Sequence, residues 1–575
     1  MISHTDTQLQ RKRTKYLFFF IILASAAILF RLFQLQVLEH QTYAQAANSQ
    51  HWSEYEIQPK RGNIYVKDMD GNLYPLATNI TLNKVFVDLA NSKDQDKTAE
   101  NLAEILKMKK DDILNLFNTS QSKRYIPIKR KISDQETQSI KDLNDPSIGL
   151  EPEPWRVYPE NTLASQVLGY VNGDDNGVGG IEQYFNDELK GTPGLYKAES
   201  DSLGNKILTG RDVSVPAKDG QDIVLTINRD VQAMAEETLA SAIKKYGGKS
   251  GSIIVMDPKN GAILAMANNP SFDPNNYNDV KDYSLFKNSA ISNVYEPGSI
   301  FKAITMAAGL DTGKIEPDTP FTDTGSITLD GYTIKNALLK AYGNVNMTFV
   351  LEYSLNTGAT YVQRLLGKDL FYNYLKKFGF GLPTGIEAPQ GTEAGGILNK
   401  PADSNDHTYA TMSFGQSIAV TPLQMITAYS AIANDGKMIE PYLIEGKVAN
   451  GQDVGGGDEK PGKQVISEEA AAKLTQMLVD TVDHGEGHLA KVPGYKVAGK
   501  TGTAQVPDPQ GGYYANREIG SFIGFAPAEN PRFVVMAKID EPKNVDWAEL
   551  SAAPTVGEML QKLLNYYQVP PTESK

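Results

Sequence analysis

A run of 15 uncharged residues, Tyr16 to Phe30, follows the basic cluster Arg11, Lys12, Arg13 and Lys15 and divides the 575-residue chain very unequally. A helix crossing a bilayer needs about 20 apolar residues. Leu32, Phe33, Leu35 and Val37 extend the run past Arg31, whose aliphatic stem can lie in the apolar layer while its head reaches the interface. The cluster ahead of the run keeps residues 1–15 cytoplasmic by the positive-inside rule, so the chain beyond the run is expected on the outer side. Ala24-Ser25-Ala26 has the small residues of a cleavage site. It lies inside the apolar run, however, so residues 16–37 read as an uncleaved anchor. The chain has no Cys, which excludes a lipidated cysteine, disulfides and cysteine metal sites.

The chain beyond the anchor is long enough for more than one domain. Its acidic balance, net −13, argues against a nucleic-acid partner. Residues 38–220 show alternating segments at Ser53–Ile57, Gly62–Val66 and Asn83–Asp88, with an Asp70-Gly71 turn between two of them. Helical patterns cover 97–118 and 134–143. Gly177-Val178-Gly179-Gly180-Ile181-Glu182 is glycine-rich but lacks the Lys-Ser/Thr pair of a phosphate loop. No catalytic set occurs here, and the region reads as a support module ending in a linker from Leu203 to Asp222.

Residues 221–575 carry a different pattern. A strand at 223–227 leads to a helix from near Asp230 to Gly247-Gly248. Strands Ser252–Met256 and Ala262–Met266 flank the turn Asp257-Pro258-Lys259-Asn260-Gly261. A long helical block comes next. Asn450 to Lys463 reads as a solvated loop, and Ser467 opens a helix with Glu468 and Glu469 in its first turn. Three β segments (Tyr495–Val506, Ile519–Phe525, Phe533–Ile539) precede a helix near 555–567. Two strands, a helical insert and three further strands predict an α+β domain: an antiparallel sheet flanked by helices, with a helical subdomain. The six His show no metal spacing. His484 and His488 flank Gly485 and Gly487 and read as loop residues, so no metal or cofactor is expected.

The chemistry centres on Glu296-Pro297-Gly298-Ser299-Ile300-Phe301-Lys302. A helix places positions i and i+3 on one face, so the Ser299 hydroxyl and Lys302 amine meet one turn apart. Serine is a poor nucleophile until a neighbouring base takes its proton. Lysine serves as that base only when burial or nearby cations hold it partly neutral. Ser354-Leu355-Asn356 and Lys500-Thr501-Gly502-Thr503 come later, in that order. S-x-x-K, S-x-N and K-T-G in this order mark penicillin-recognising serine enzymes. A rival pattern overlaps the last motif: Gly494-Tyr495-Lys496-Val497-Ala498-Gly499-Lys500-Thr501 matches a nucleotide-binding loop letter by letter. Such a loop must open a helix. Here Thr-Gly-Thr-Ala-Gln-Val-Pro succeeds Lys500, and the alternation reads as a strand, so a nucleotide hydrolase is the remote alternative.

With these motifs the chain resembles the class B penicillin-binding proteins, membrane-anchored peptidoglycan transpeptidases. Arg31-Leu32-Phe33-Gln34-Leu35-Gln36, Arg61-Gly62-Asn63-Ile64 and Gly179-Gly180-Ile181-Glu182 are similar to that family's anchor and pedestal motifs. Ser271-Phe272-Asp273-Pro274-Asn275, Ser413-Phe414-Gly415-Gln416 and Val420-Thr421-Pro422-Leu423-Gln424 are similar to its catalytic domain. Ile300 stands where Thr is usual, and the turn at Lys67–Asp70 is a residue longer than usual. The resemblance implies that Ser299 attacks a D-Ala-D-Ala stem peptide and Lys302 accepts its proton. It further implies that Ser354 relays a proton to the leaving amine, and that Asn356 binds the substrate backbone and steadies Lys302. Lys500, Thr501 and Thr503 would bind the terminal carboxylate, with Gly502 leaving room for the substrate strand. The N–H groups of Ser299 and Thr503 would form the oxyanion hole. β-Lactams would acylate Ser299. A D,D-carboxypeptidase, a β-lactamase or a β-lactam sensor are the alternatives. A class A β-lactamase needs a water-activating Glu, and no Glu-x-x-x-Asn occurs between Asn356 and Lys500. Asn356 in place of Asp points to the division or sporulation type. The implied partners are stem peptides, the membrane through one helix, a polytopic glycosyltransferase and division proteins.

Overall fold

Consecutive apolar residues such as Ile253-Ile254-Val255-Met256 suit a strand covered on both faces, because successive side chains point to opposite sides. In the computed structural model this segment lies inside an antiparallel five-stranded sheet. The structure describes residues 4–41, 43, 52–199, 212–449, 452–455, 460–508, 510–545, 547 and 549–572. The sheet's strands are β1 (Ser250–Met256), β2 (Ile263–Asn269), β3 (Ala498–Pro507), β4 (Tyr513–Ala526) and β5 (Phe533–Asp540), in the spatial order β2-β1-β5-β4-β3. On one face Ile253 and Val255 join a core with Leu239, Val556 and Leu560, from helices Arg229–Tyr246 and Glu549–Tyr566. On the other face Ile254 and Met256 join Ile300, Ile304, Ile426 and Leu474 in the larger core. β3 forms one edge of the sheet, with β4 as its only strand neighbour among the described residues. The expected antiparallel sheet flanked by helices is therefore present.

The chain divides into two compact units, Met1–Lys60 with Gly191–Asp219, and Arg61–Lys190 with Gly220–Lys575. The first holds helix His4–Phe33, which continues as a wider turn over Gln34–Leu38. Its segment Arg11–Leu38 is long and apolar enough to cross a membrane, and none of it is buried. The same unit has a three-stranded antiparallel sheet of Trp52–Ile57, Gly194–Glu199 and Asp212–Val215. The linker expected from Leu203 to Asp222 is thus partly strand, and residues 203–211 lie outside the described residues.

Within the second unit, Ile64–Lys67 and Leu73–Val87 form a hairpin whose turn is fixed by Asp68. That carboxylate accepts from the N–H groups of Asp70 and Asn72, each at 2.9 Å. Ile64–Lys67 also pairs in parallel with Asp222–Asn228, so one sheet joins residues on either side of the first unit's 191–219 segment. The helical stretch expected over 97–118 is two helices, Gln95–Leu106 and Lys110–Thr119, broken where Lys107 takes a left-handed φ of 55°. Glu182, from the glycine-rich stretch, is fully buried between Arg61 and Arg156, with N···O distances of 2.7 Å to each. Gln452–Gly455 forms a strand against Ile444–Ala449, inside the expected loop.

Candidate active site

Ser299 lies in a tight 3₁₀ turn, Gly298–Phe301, that runs directly into helix Lys302–Asp311. The apolar side chains Ile300, Phe301, Ala303 and Ile304 anchor this turn in the core, each at 0 % exposure. From below, the Tyr429 hydroxyl donates to Ile300 O at 2.6 Å and the Thr305 hydroxyl donates to Ser413 O at 2.7 Å. Ser299 is left half-buried at the surface of the turn.

Lys302 is fully buried. Its Nζ donates to Ser299 Oγ at 2.9 Å, to Ser354 Oγ at 2.9 Å and to Ser354 O at 2.5 Å. Ser354 reaches the lysine because its backbone turns out of helix Met347–Glu352 with a φ of 54°, an uncommon conformation for a residue with a side chain. Such strain at a site persists only when its surroundings enforce it. Here Leu355, 1 % exposed, is buried in the core on the far side.

Asn356 opens the next helix, Asn356–Leu366. Its amide nitrogen donates to Lys335 O at 2.9 Å, in the hairpin of Ser326–Leu329 and Tyr332–Lys335. Ser299 and Ser354 thus supply three acceptors to Lys302 Nζ, while the Asn356 amide nitrogen donates to the hairpin. Thr357 is held by the buried carboxylate of Asp323, which accepts its hydroxyl at 2.7 Å and the Asn336 amide at 3.1 and 3.0 Å. Burial works against charge on Asp323. The Thr357 hydroxyl and the N–H groups of Gly325 and Tyr342 outweigh it and hold the carboxyl below the usual range.

Residues 500–503 lie on the edge strand β3 beside the Ser299 turn. A Cβ added to Gly298 would lie 2.6 Å from Thr503 O, and one added to Gly502 would lie 3.0 Å from Pro297 O. Gly298 also takes φ 59°, and its N–H donates to Gly415 O at 3.1 Å. At Gly415 an added Cβ would sit 2.2 Å from Gly298 O. Three backbones therefore meet at distances that only glycine allows. Lys500 is fully buried, with Nζ 3.1 Å from Thr501 Oγ1 and 3.7 Å from the Glu486 carboxylate. Thr503 Oγ1 is buried with no hydrogen-bond partner. Lys500 and Thr501 sit within a strand and not at a helix start, which removes the geometry a nucleotide-binding loop needs.

Glu296 ties the turn to its surroundings. Its carboxylate accepts the Ser417 N–H at 2.8 Å and the Tyr513 hydroxyl at 2.8 Å. Burial raises its carboxyl despite both bonds. Glu296 stands next to the motif in sequence, but nothing there announces its partners. Asp323, Tyr429 and Glu486 give no local signal at all, because they act across long sequence separations.

The geometry agrees with the comparisons with known proteins. The family described as "Penicillin binding protein transpeptidase domain" matches residues 251–561, and the "Penicillin-binding Protein dimerisation domain" matches 56–225. The chain belongs to the penicillin-binding protein transpeptidase family. Stage V sporulation protein D of Bacillus subtilis is 34 % identical over 98 % of this chain and 87 % of its own length. The peptidoglycan D,D-transpeptidase FtsI of Buchnera aphidicola is 30 % identical over 97 % of this chain and 95 % of its own. Among solved structures, penicillin binding protein 3 of Mycobacterium tuberculosis complexed with ampicillin superposes with a TM-score of 0.69 at 27 % identity. It covers 90 % of this chain and 98 % of that one. A peptidoglycan synthetase from Bifidobacterium adolescentis gives a TM-score of 0.73 at 26 % identity, over 91 % and 98 %. The family is a serine acyl-transfer family, and membership carries that chemistry to this chain.

Proposed function

We propose that this protein is a D,D-transpeptidase that cross-links peptidoglycan stem peptides and is acylated by β-lactams at Ser299. The observation that carries the reading is the triangle of Ser299 Oγ, Lys302 Nζ and Ser354 Oγ, with Nζ 2.9 Å from each hydroxyl oxygen. In the reactive form the amine is neutral, and the Ser299 hydroxyl donates to it. As Oγ attacks the carbonyl between the last two D-Ala residues, its proton passes to Lys302. Ser354 then conducts a proton to the leaving amine. The terminal carboxylate lies against Lys500, Thr501 and Thr503. Thr503 Oγ1, buried without a partner, gains one when that carboxylate arrives. The substrate backbone runs along the outer edge of β3 as an added strand, opposite the Asn356 amide. The N–H groups of Ser299 and Thr503 take the developing oxyanion, where losing one such donor costs about 100- to 1000-fold in rate.

Residues 221–575 are the catalytic domain in this reading and 38–220 a non-catalytic pedestal, supported by the two family matches. Residues 16–37 anchor the chain. The Arg11–Lys15 cluster supports a cytoplasmic N-terminus with the catalytic domain outside. The name of the Bacillus subtilis relative, a stage V sporulation protein, supports a division or sporulation role, and the resemblance to class B penicillin-binding proteins supports a polytopic glycosyltransferase as partner.

The test is the lifetime of the acyl-enzyme formed by the full-length protein with a labelled penicillin. A transferase holds the adduct until an amine arrives. Rapid turnover by water would make the protein a carboxypeptidase or a β-lactamase instead.

A further inference from the structure

A transferase must also receive its second substrate, and one corner of the cleft has the chemistry for it, given the acyl-transfer function proposed for Ser299. Incoming and leaving amines occupy the same side of the acyl carbonyl, because each step is chemically the reverse of the other. The leaving residue carries the carboxylate bound at Lys500, so the acceptor enters beside Lys500.

There the loop after helix Glu468–Asp483 presents Glu486, its carboxylate 3.7 Å from Lys500 Nζ. The lysine side chain is 0 % exposed and the glutamate 32 %, so the carboxylate is the solvent-facing member. The loop is fixed in place. Glu486 N–H donates to Glu352 O at 3.0 Å, and a Cβ added to Gly485 would lie 2.4 Å from that same oxygen. Glu352 is two residues before Ser354, which ties Glu486 to the segment that contacts Lys302.

The third wall is aromatic. Ring centroids of Tyr342 and Phe349 are 5.4 Å apart, those of Phe349 and Tyr353 4.2 Å, and those of Tyr342 and Tyr353 5.8 Å. Tyr353 directly precedes Ser354 and is 38 % exposed. Glu486 is tied to this cluster through its N–H bond to Glu352 O at 3.0 Å, since Glu352 directly precedes Tyr353; burial also raises the Tyr342 phenol, and the Glu486 charge adds to the rise. Lys340 Nζ lies over the Tyr342 ring, 4.6 Å from its centroid, so that ring already pairs with a cation of the chain itself. A carboxylate beside electron-rich ring faces is suited to an alkylammonium ion.

We infer that Glu486, with Tyr342 and Tyr353, forms the subsite for the acyl acceptor, a primary alkylammonium on a second stem peptide. The bound ammonium loses one proton to solvent. The neutral nitrogen then attacks the acyl-Ser299 ester: a C–N bond forms, the C–Oγ bond breaks, and the nitrogen's remaining excess proton ends on Ser299 Oγ.

The test uses the full-length protein and a thioester donor ending in a carboxylate, and reads the ratio of aminolysis to hydrolysis. One acceptor is a primary alkylamine. The other is hydroxylamine, which is neutral at neutral pH. Because Glu486 also pairs with Lys500, the ratio is taken per acyl-enzyme and acylation is timed separately. E486Q should lower the alkylamine ratio about fivefold while changing the hydroxylamine ratio by less than about twofold. E486D should recover most of the loss, and added salt should lower the wild-type alkylamine ratio. An unchanged ratio, or equal losses for both acceptors, rejects the subsite. Failure of the wild-type protein to form any acyl-enzyme rejects the acyl-transfer reading and this inference with it.

Discussion

Removing the hydroxyl of Ser354 tests the lysine triangle without touching the nucleophile. Lys302 Nζ donates to Ser299 Oγ, Ser354 Oγ and Ser354 O, and Ser354→Ala deletes the second of these bonds while keeping the carbonyl bond of 2.5 Å. Lys302 becomes charged as it takes the Ser299 proton, and a hydrogen bond to a charged group contributes about 1.5–3 kcal/mol. Each 1.36 kcal/mol of barrier is tenfold in rate, so acylation should slow by about 10- to 150-fold. The assay is the second-order rate constant for acylation by a labelled penicillin, with thermal unfolding as the control for folding. The backbone supplies a second control. Ser354 has φ 54°, so alanine inherits its strain whereas glycine relieves it. If the hydroxyl matters, Ser354→Ala and Ser354→Gly slow together. Acylation by Ser354→Ala at the wild-type rate would refute the reasoning. Recovery in the glycine variant alone would show that strain, and not the hydroxyl, carries the effect.

Gly298→Ala should abolish penicillin labelling, because its Cβ would lie 2.6 Å from Thr503 O at a φ of 59°; a gel-based labelling assay on folded protein decides it. Glu182→Gln leaves two buried guanidiniums short of their counter-charge and should cost about 3–5 kcal/mol in urea unfolding. Burial pushes the Glu182 carboxyl up, but Arg156 and Arg61 outweigh it and hold it below its ordinary value of 4.5. Its contribution is therefore present above that value and is lost as pH falls through the lowered one, so the gap between wild type and variant should close only in acid. Glu296 has the opposite sign. Its carboxyl is raised by burial, so its share of stability is present in acid and lost as pH rises through the raised value, and Glu296→Gln should flatten the melting temperature as pH rises above the ordinary carboxylate value of 4.5.

The strands of the central sheet were legible because β1, β2 and β5 are apolar runs bounded by turn residues, and periodicity reports burial directly; their spatial order shows only in the fold. The three motifs were legible because each is local. The features that stayed hidden are set by contacts between distant segments. The split of 97–118 depends on Lys107 entering a left-handed turn, which side-chain type alone does not demand. The Ser299 turn is 3₁₀ and not α because Gly298 must fit between Gly415 and Thr503, residues more than a hundred positions away. The pairing of Ile64–Lys67 with Asp222–Asn228 joins segments that read as separate domains. Arg61 and Glu182 both fell in motifs that the resemblance singled out, but their buried pairing shows only in the fold. Glu486 lay among glycines and histidines that read as a turn, and only the fold brings it to Lys500.

Ser299 as nucleophile and Lys302 as its base are the central claim. Peptide mapping by mass spectrometry after penicillin treatment of the full-length protein tests it most directly. The expected result is one adduct, on Ser299, that is lost in both Ser299→Ala and Lys302→Ala. An adduct on Ser354 or another residue, or full labelling of Lys302→Ala, would contradict it.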